Sequence, residues 1–115
     1  MALRMTEREV NGVSILDLEG KIVLGEESNM LREKVKSLLE GGRKKVILNL
    51  GNVSFIDSTG LGMLVGVFTS AQSLNAKLKL LNLSPKPRDL MQVTKLLTVF
   101  DVYESEQAAI ASFEK

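Results

Sequence analysis

Asp57, Ser58, Thr59, Gly60, Gly62 and Gly66 gather a carboxylate, two hydroxyls and three glycines into one short stretch. An apolar run from Val46 to Leu50 feeds into it through Gly51, and an apolar segment carrying Leu61, Leu64, Val65 and Phe68 follows. The pattern reads as a strand, a short loop and then a helix whose first turn holds the polar cluster. α/β proteins place ligands and functional side chains at such junctions.

Catalysis by this cluster fails on composition and spacing. The chain has no His and no Cys, which excludes Ser-His-Asp catalysis, thiol nucleophiles, and His- or thiolate-ligated metals. A serine nucleophile would have only lysine as its base, and the G-x-S-x-G elbow is absent, with Phe55, Ile56 and Asp57 in the upstream positions. The glycines miss the G-x-G-x-x-G dinucleotide fingerprint, because Val65 occupies the third position and Gly66 comes one residue late. No Gly-Lys-Ser/Thr of a P-loop occurs. An aspartic-protease reading lacks the second carboxylate-bearing segment. No catalytic residue, metal or cofactor is therefore expected.

Three non-catalytic roles remain open on spacing. Asp57 and Ser58 can simply cap the helix, which typically contributes about 1 kcal/mol. The glycines weigh against that alone, since each costs ~1 kcal/mol relative to Ala inside a helix. Thr59, Gly62, Gly66 and Ser70 form a stripe of small residues that lets either a neighbouring strand or an outside partner approach closely. Finally, a serine at a helix start is a good substrate for another enzyme's phosphoryl group. The added charge of about −1.5 to −2 would be tolerated by the helix dipole, and any surface docked there would be repelled.

Composition argues against a mainly electrostatic nucleic-acid or membrane binder. Fifteen Lys and Arg against fourteen Asp and Glu leave a net charge of +1, and four Phe with one Tyr supply few stacking platforms. The N-terminus alternates charged and apolar residues, unlike a signal peptide. No apolar run approaches the roughly 18 residues of a membrane span. A cytoplasmic protein is expected.

The elements that must position the cluster are legible in order. Residues 3–10 and 13–20 read as strands joined at Asn11 and Gly12, the favoured pair for a tight hairpin turn. In the second strand Leu16 and Leu18 face a buried side, and Ile15, Asp17 and Glu19 a more exposed one. Residues 20–25 read as a turn with the apolar insert Ile22, Val23 and Leu24. Leu31, Val35, Leu38 and Leu39 give helix 26–40 one apolar stripe, which Gly41 and Gly42 terminate.

The run 46–50 reads as a central parallel strand, and 77–83 as another. Ser84 and Pro85 mark a helix start, with Leu90, Val93 and Leu97 as its buried stripe. Residues 98–103 read as a last strand, and Ser105 caps a terminal helix that turns Ala109, Ile110 and Phe113 inward. The sum is one α/β domain over 1–115. A mixed sheet of four to five strands, opened by an antiparallel hairpin and continued by βα units, carries about four helices.

On these residues the chain resembles a STAS domain of the bacterial anti-sigma factor antagonist type. The resemblance spans nearly the whole chain: the hairpin ending in Leu18, Glu19 and Gly20, the strand 46–50, the segment from Val53 to Gly62, and the stretch from Leu80 to Pro85. It implies a partner-switching regulator that is not an enzyme. The unphosphorylated form would bind an anti-sigma factor with serine kinase activity, phosphorylation at Ser58 would release it, and a PP2C-type serine phosphatase would restore it. Asp57 would orient or tune Ser58, and Thr59 would be the weaker acceptor. Gly60 and Gly62 would keep the surface open, joined in partner binding by Met63, Gly66, Lys21 and Val23. A monomer or weak dimer is implied, with no direct nucleic-acid or membrane contact. Relatives often carry Asp where Val23 stands, so the kinase recognised and any nucleotide contact stay open. A scaffold role or a nucleotide-binding role without a sigma-factor pathway is the alternative.

Overall fold

The computed structural model describes residues 3–114. Strands β1 (Leu3–Val10) and β2 (Val13–Ile22) pair antiparallel. The turn between them puts Asn11 at φ 52° and Gly12 at φ 80°, the left-handed conformations that Asn-Gly tolerates. Helix α1 (Glu26–Glu40), strand β3 (Lys45–Ile56), helix α2 (Ser58–Ser73), strand β4 (Lys77–Leu81) and helix α3 (Pro85–Val93) follow. A 3-10 turn over Leu96–Thr98, strand β5 (Asp101–Tyr103) and helix α4 (Glu106–Ser112) complete the order. The sheet runs β1-β2-β3-β4-β5, with every pair after the first parallel.

The two sheet faces are covered unequally. Leu31 and Val35 of α1, Leu61, Leu64, Val67 and Ala71 of α2, and Met91 of α3 bury one face together with Leu16, Leu18, Leu48 and Leu80. On the other face α4 packs Ala109, with half-buried Ile110 and Phe113, over Val13, Ile15, Ile47 and Leu81. Ile15 is therefore fully buried, not on the exposed side that period-two alternation suggests. A helix remote in sequence covers it.

Polar anchors hold α4 down. The Arg8 guanidinium bonds both oxygens of Asp17 (2.6 and 3.2 Å) and both of Glu106 (3.0 and 2.6 Å), and Asn49 Nδ2 donates to Asp17 Oδ1 at 2.8 Å. Hydrogen bonding from Arg8 holds both carboxyls below their usual range and raises the guanidinium in turn. Lys79 is buried beneath the helix, its Nζ 2.6 Å from Ser112 Oγ and stacked at 4.5 Å over Phe113 and 5.3 Å over Tyr103.

Several elements differ from the sequence expectation. β2 continues through Gly20 to Ile22, because β3 extends alongside it and pairs Lys21 with Phe55 and Ile22 with Ile56 across two register shifts. β3 correspondingly has no loop after Gly51 and runs straight to Ile56. β4 stops at Leu81, followed by Asn82 at φ 59°. The inward face of α2 continues through Val67 and Ala71, leaving Val65 and Phe68 half-buried. On α3 the buried residues are Pro87 and Met91, and Val93 is 80% exposed. The last strand is only Asp101–Tyr103, because a 3-10 turn uses residues 96–98.

Among the described residues, one buried side-chain polar atom lacks a partner: Ser14 is 1% exposed, and no described residue hydrogen-bonds its Oγ. An orphaned buried hydroxyl costs about 1–3 kcal/mol. Ser14→Ala is accordingly expected to raise stability, by about 1 kcal/mol in urea denaturation, with the m-value unchanged.

Candidate functional site

The site is built where β2, the β2–α1 connection and the start of α2 converge. β3 ends at Ile56, and Asp57 takes the N-cap position in an extended conformation, φ −91° and ψ 179°. Its Oδ1 accepts from the Gly60 N–H at 2.7 Å, satisfying one of the donors that a helix start leaves unpaired. Its Oδ2 accepts from the Leu24 N–H at 3.0 Å, and its own N–H donates to the Ile22 carbonyl at 3.2 Å. One aspartate thus ties the helix start to the strand end and to the connection that leads into α1. The backbone N–H groups of Gly60 and Leu24 hold its carboxyl below the ordinary carboxylate range.

Gly60 has a role different from the one expected of it. It is buried, and a Cβ there would stand 2.1 Å from the Ile22 carbonyl oxygen. Its missing side chain lets α2 seat directly on the end of β2, so it packs the helix and does not open the surface. Gly62 and Gly66 are exposed, and a Cβ on either would meet nothing within 4 Å. These two leave open space above the helix.

Ser58 is the first residue of α2, exposed, and no hydrogen bond engages its hydroxyl among the described residues. The cap is Asp57, so the capping role does not account for Ser58. Thr59, Gly62, Gly66 and Thr69 are exposed on the same helix, and α2 carries no charged residue. The result is a small, neutral strip with a free hydroxyl at its positive dipole end. Met63 and Val23 are half-buried beside the strip and the connection, and Lys21 is exposed at the end of β2. Of the apolar insert 22–24, Ile22 is fully buried whereas Leu24 is 76% exposed. Sequence reasoning missed Leu24, because an isolated Leu in an apolar run reads as core. No group of three or more acidic residues is placed to hold a metal among the described residues.

These contacts separate the two first-turn glycines. Gly60→Ala is expected to cost about 2–3 kcal/mol, because the clash is with backbone that cannot move aside. Gly62→Ala is expected to stabilise by about 0.5–1 kcal/mol through helix propensity, and paired thermal melts read both.

Asp57 makes a pH-dependent contribution. Its folded pKa lies below the unfolded value, so its stabilisation is present above roughly pH 4 and is lost as pH falls through the folded pKa. Asp57→Ala should cost about 1 kcal/mol at neutral pH. The gap to the wild type should close in acid, as measured by urea titrations across that range.

A protein-family comparison matches residues 4–109 to the STAS domain. The chain is 37% identical over 81 residues to the anti-sigma-B factor antagonist of Bacillus subtilis, covering 70% of this chain and 73% of that protein. BtrV of Bordetella bronchiseptica is 27% identical over 112 residues, covering 97% of this chain and 96% of that one. The anti-sigma factor antagonist SpoIIAA has the same fold in its unphosphorylated form (TM-score 0.79, 24% identity, 96% of each chain). SpoIIAA in its phosphorylated form also superposes (TM-score 0.75, 23% identity, 96% of this chain and 99% of that one). With the family match running through nearly all of the sheet and its helices, the chain belongs to the STAS domain family.

Proposed function

We propose that this protein is an anti-sigma factor antagonist that switches partners through phosphorylation of Ser58. In this reading it is a binding protein and no enzyme. Unphosphorylated, it docks an anti-sigma factor with serine kinase activity through the α2 start and the neighbouring end of β2. Phosphorylation ends that complex, and a PP2C-type serine phosphatase resets it. The proposal includes a cytoplasmic location and a monomer or weak dimer. No helix among the described residues is long and apolar enough to cross a membrane.

The observation that carries the reading is the exposed, unbonded hydroxyl of Ser58 at the head of an uncharged helix. A kinase needs its acceptor oxygen free, and among the described residues nothing competes for this one. A phosphate there would add about −1.5 to −2 charges to a strip that has none, within a residue of the Asp57 carboxylate. A partner surface packed on Gly62 and Gly66 would have to desolvate that charge, which costs several kcal/mol when it is unpaired. Asp57 itself is engaged by two backbone N–H groups. Its part is to hold the helix start in place beside the acceptor, and Thr59 is the secondary acceptor.

The test uses purified kinase partner and phosphosite mapping by intact mass. Ser58→Ala should bind the kinase as tightly as wild type and take no phosphate. Ser58→Asp should bind at least about a hundredfold more weakly, the equivalent of roughly 2.7 kcal/mol. Equal binding by wild type and Ser58→Asp, or phosphate confined to another residue, would overturn the proposal.

A further inference from the structure

A second surface lies at the far end of β3, on the part of the α4-bearing sheet face that α4 itself does not reach. β4 pairs with β3 only as far as Asn49, opposite Leu81, while β3 runs on to Ile56. No strand covers that side of β3 beyond Asn49 among the described residues. The start of α3 approaches instead, and Ser84 Oγ donates to the Val53 carbonyl. The approach leaves a groove of about 580 Å³ lined by Lys21, Ser54, Phe55, Ser84, Pro85 and Lys86. Lys21 and Phe55 are partners across β2 and β3 and so share a face. It is the face opposite Ile22 and Ile56, which are buried under the helices. The cluster beneath α4 includes Val13, Ile15, Ile47 and Leu81 but not Phe55, which is 41% exposed.

The chemistry of the groove is one-sided. Its two charged residues are both lysines, neither in an ion pair among the described residues, and no carboxylate lines it. Its floor is aromatic and aliphatic, from Phe55 and Pro85. Charge complementarity calls for an anionic occupant, and the apolar floor calls for one with alternating apolar side chains. An extended segment laid along a partly uncovered strand supplies both, because its side chains alternate between the groove and solvent.

From this geometry we infer that the groove between β3 and the start of α3 docks an extended acidic peptide segment of a protein partner. Lys21 and Lys86 would take its carboxylates, and Phe55 would take an apolar side chain between them. The inference does not rest on Ser58, because the groove contains no residue of α2, although Lys21 at the end of β2 also belongs to the proposed kinase-docking surface.

The probe is a fluorescein-labelled peptide of alternating glutamate and leucine, with alternating lysine and leucine as control, titrated by anisotropy onto the full chain. Saturable binding of the glutamate peptide alone is expected. It should weaken about tenfold in Lys21→Glu/Lys86→Glu, several-fold in Phe55→Ser, and steeply with salt, and remain unchanged in Ser58→Ala. Amide NMR on the wild-type protein should place the shifts at Ser54, Phe55 and Lys86, so the result survives a variant that folds poorly. Failure of the glutamate peptide to bind, equal binding of the lysine peptide, or shifts elsewhere would overturn the proposal. So would ATP or inorganic phosphate moving these amides when the peptide does not.

Discussion

The contact on which this structure turns is the seating of the α2 start on the end of β2, backbone against backbone. Gly60 comes so close to the Ile22 carbonyl that no side chain fits between them. Asp57 completes the joint with one carboxylate oxygen on α2, the other on the connection into α1, and its N–H on β2. Three chain segments are locked by one short acidic side chain and one absent methyl. The position of Ser58 follows, since it sits between the two residues that make the joint and has nothing left to bond.

That joint also explains why β2 and β3 are long. Both strands run to residues 22 and 56 side by side, with register shifts that absorb their unequal paths. β4 and β5 are short, so the sheet is stepped. The step leaves the far end of β3 to the start of α3 and creates the lysine-flanked groove. At the opposite end, α4 is held to the uncovered face by Arg8, Asp17 and Glu106 and by the buried Lys79. One sheet thus offers two exposed regions, the neutral strip on α2 and the basic groove beside α3.

The alternation and periodicity of the sequence were sufficient for element order, the Asn11-Gly12 turn, the stripe of α1 and the cap at Ser105, all of which depend on neighbours within a few residues. They failed where distant segments decide burial. Ile15 is buried by α4, α3 turns Met91 and not Val93 toward the core, and residues 52–56 become strand because β2 lies beside them.

The candidate site divides along the same line. The sequence by itself determined that no His or Cys chemistry is available, that a serine stands at a helix start, and that small residues surround it. Composition and spacing are properties of the chain alone. Only the tertiary structure decided that Asp57 and not Ser58 caps the helix, that Gly60 is packing while Gly62 and Gly66 are surface, and that Leu24 is exposed. The cap rests on a local bond from the Gly60 amide that the sequence left open between two side chains. The packing of Gly60 against Ile22 depends instead on a carbonyl from tens of residues away, and local pattern carries no record of that arrival.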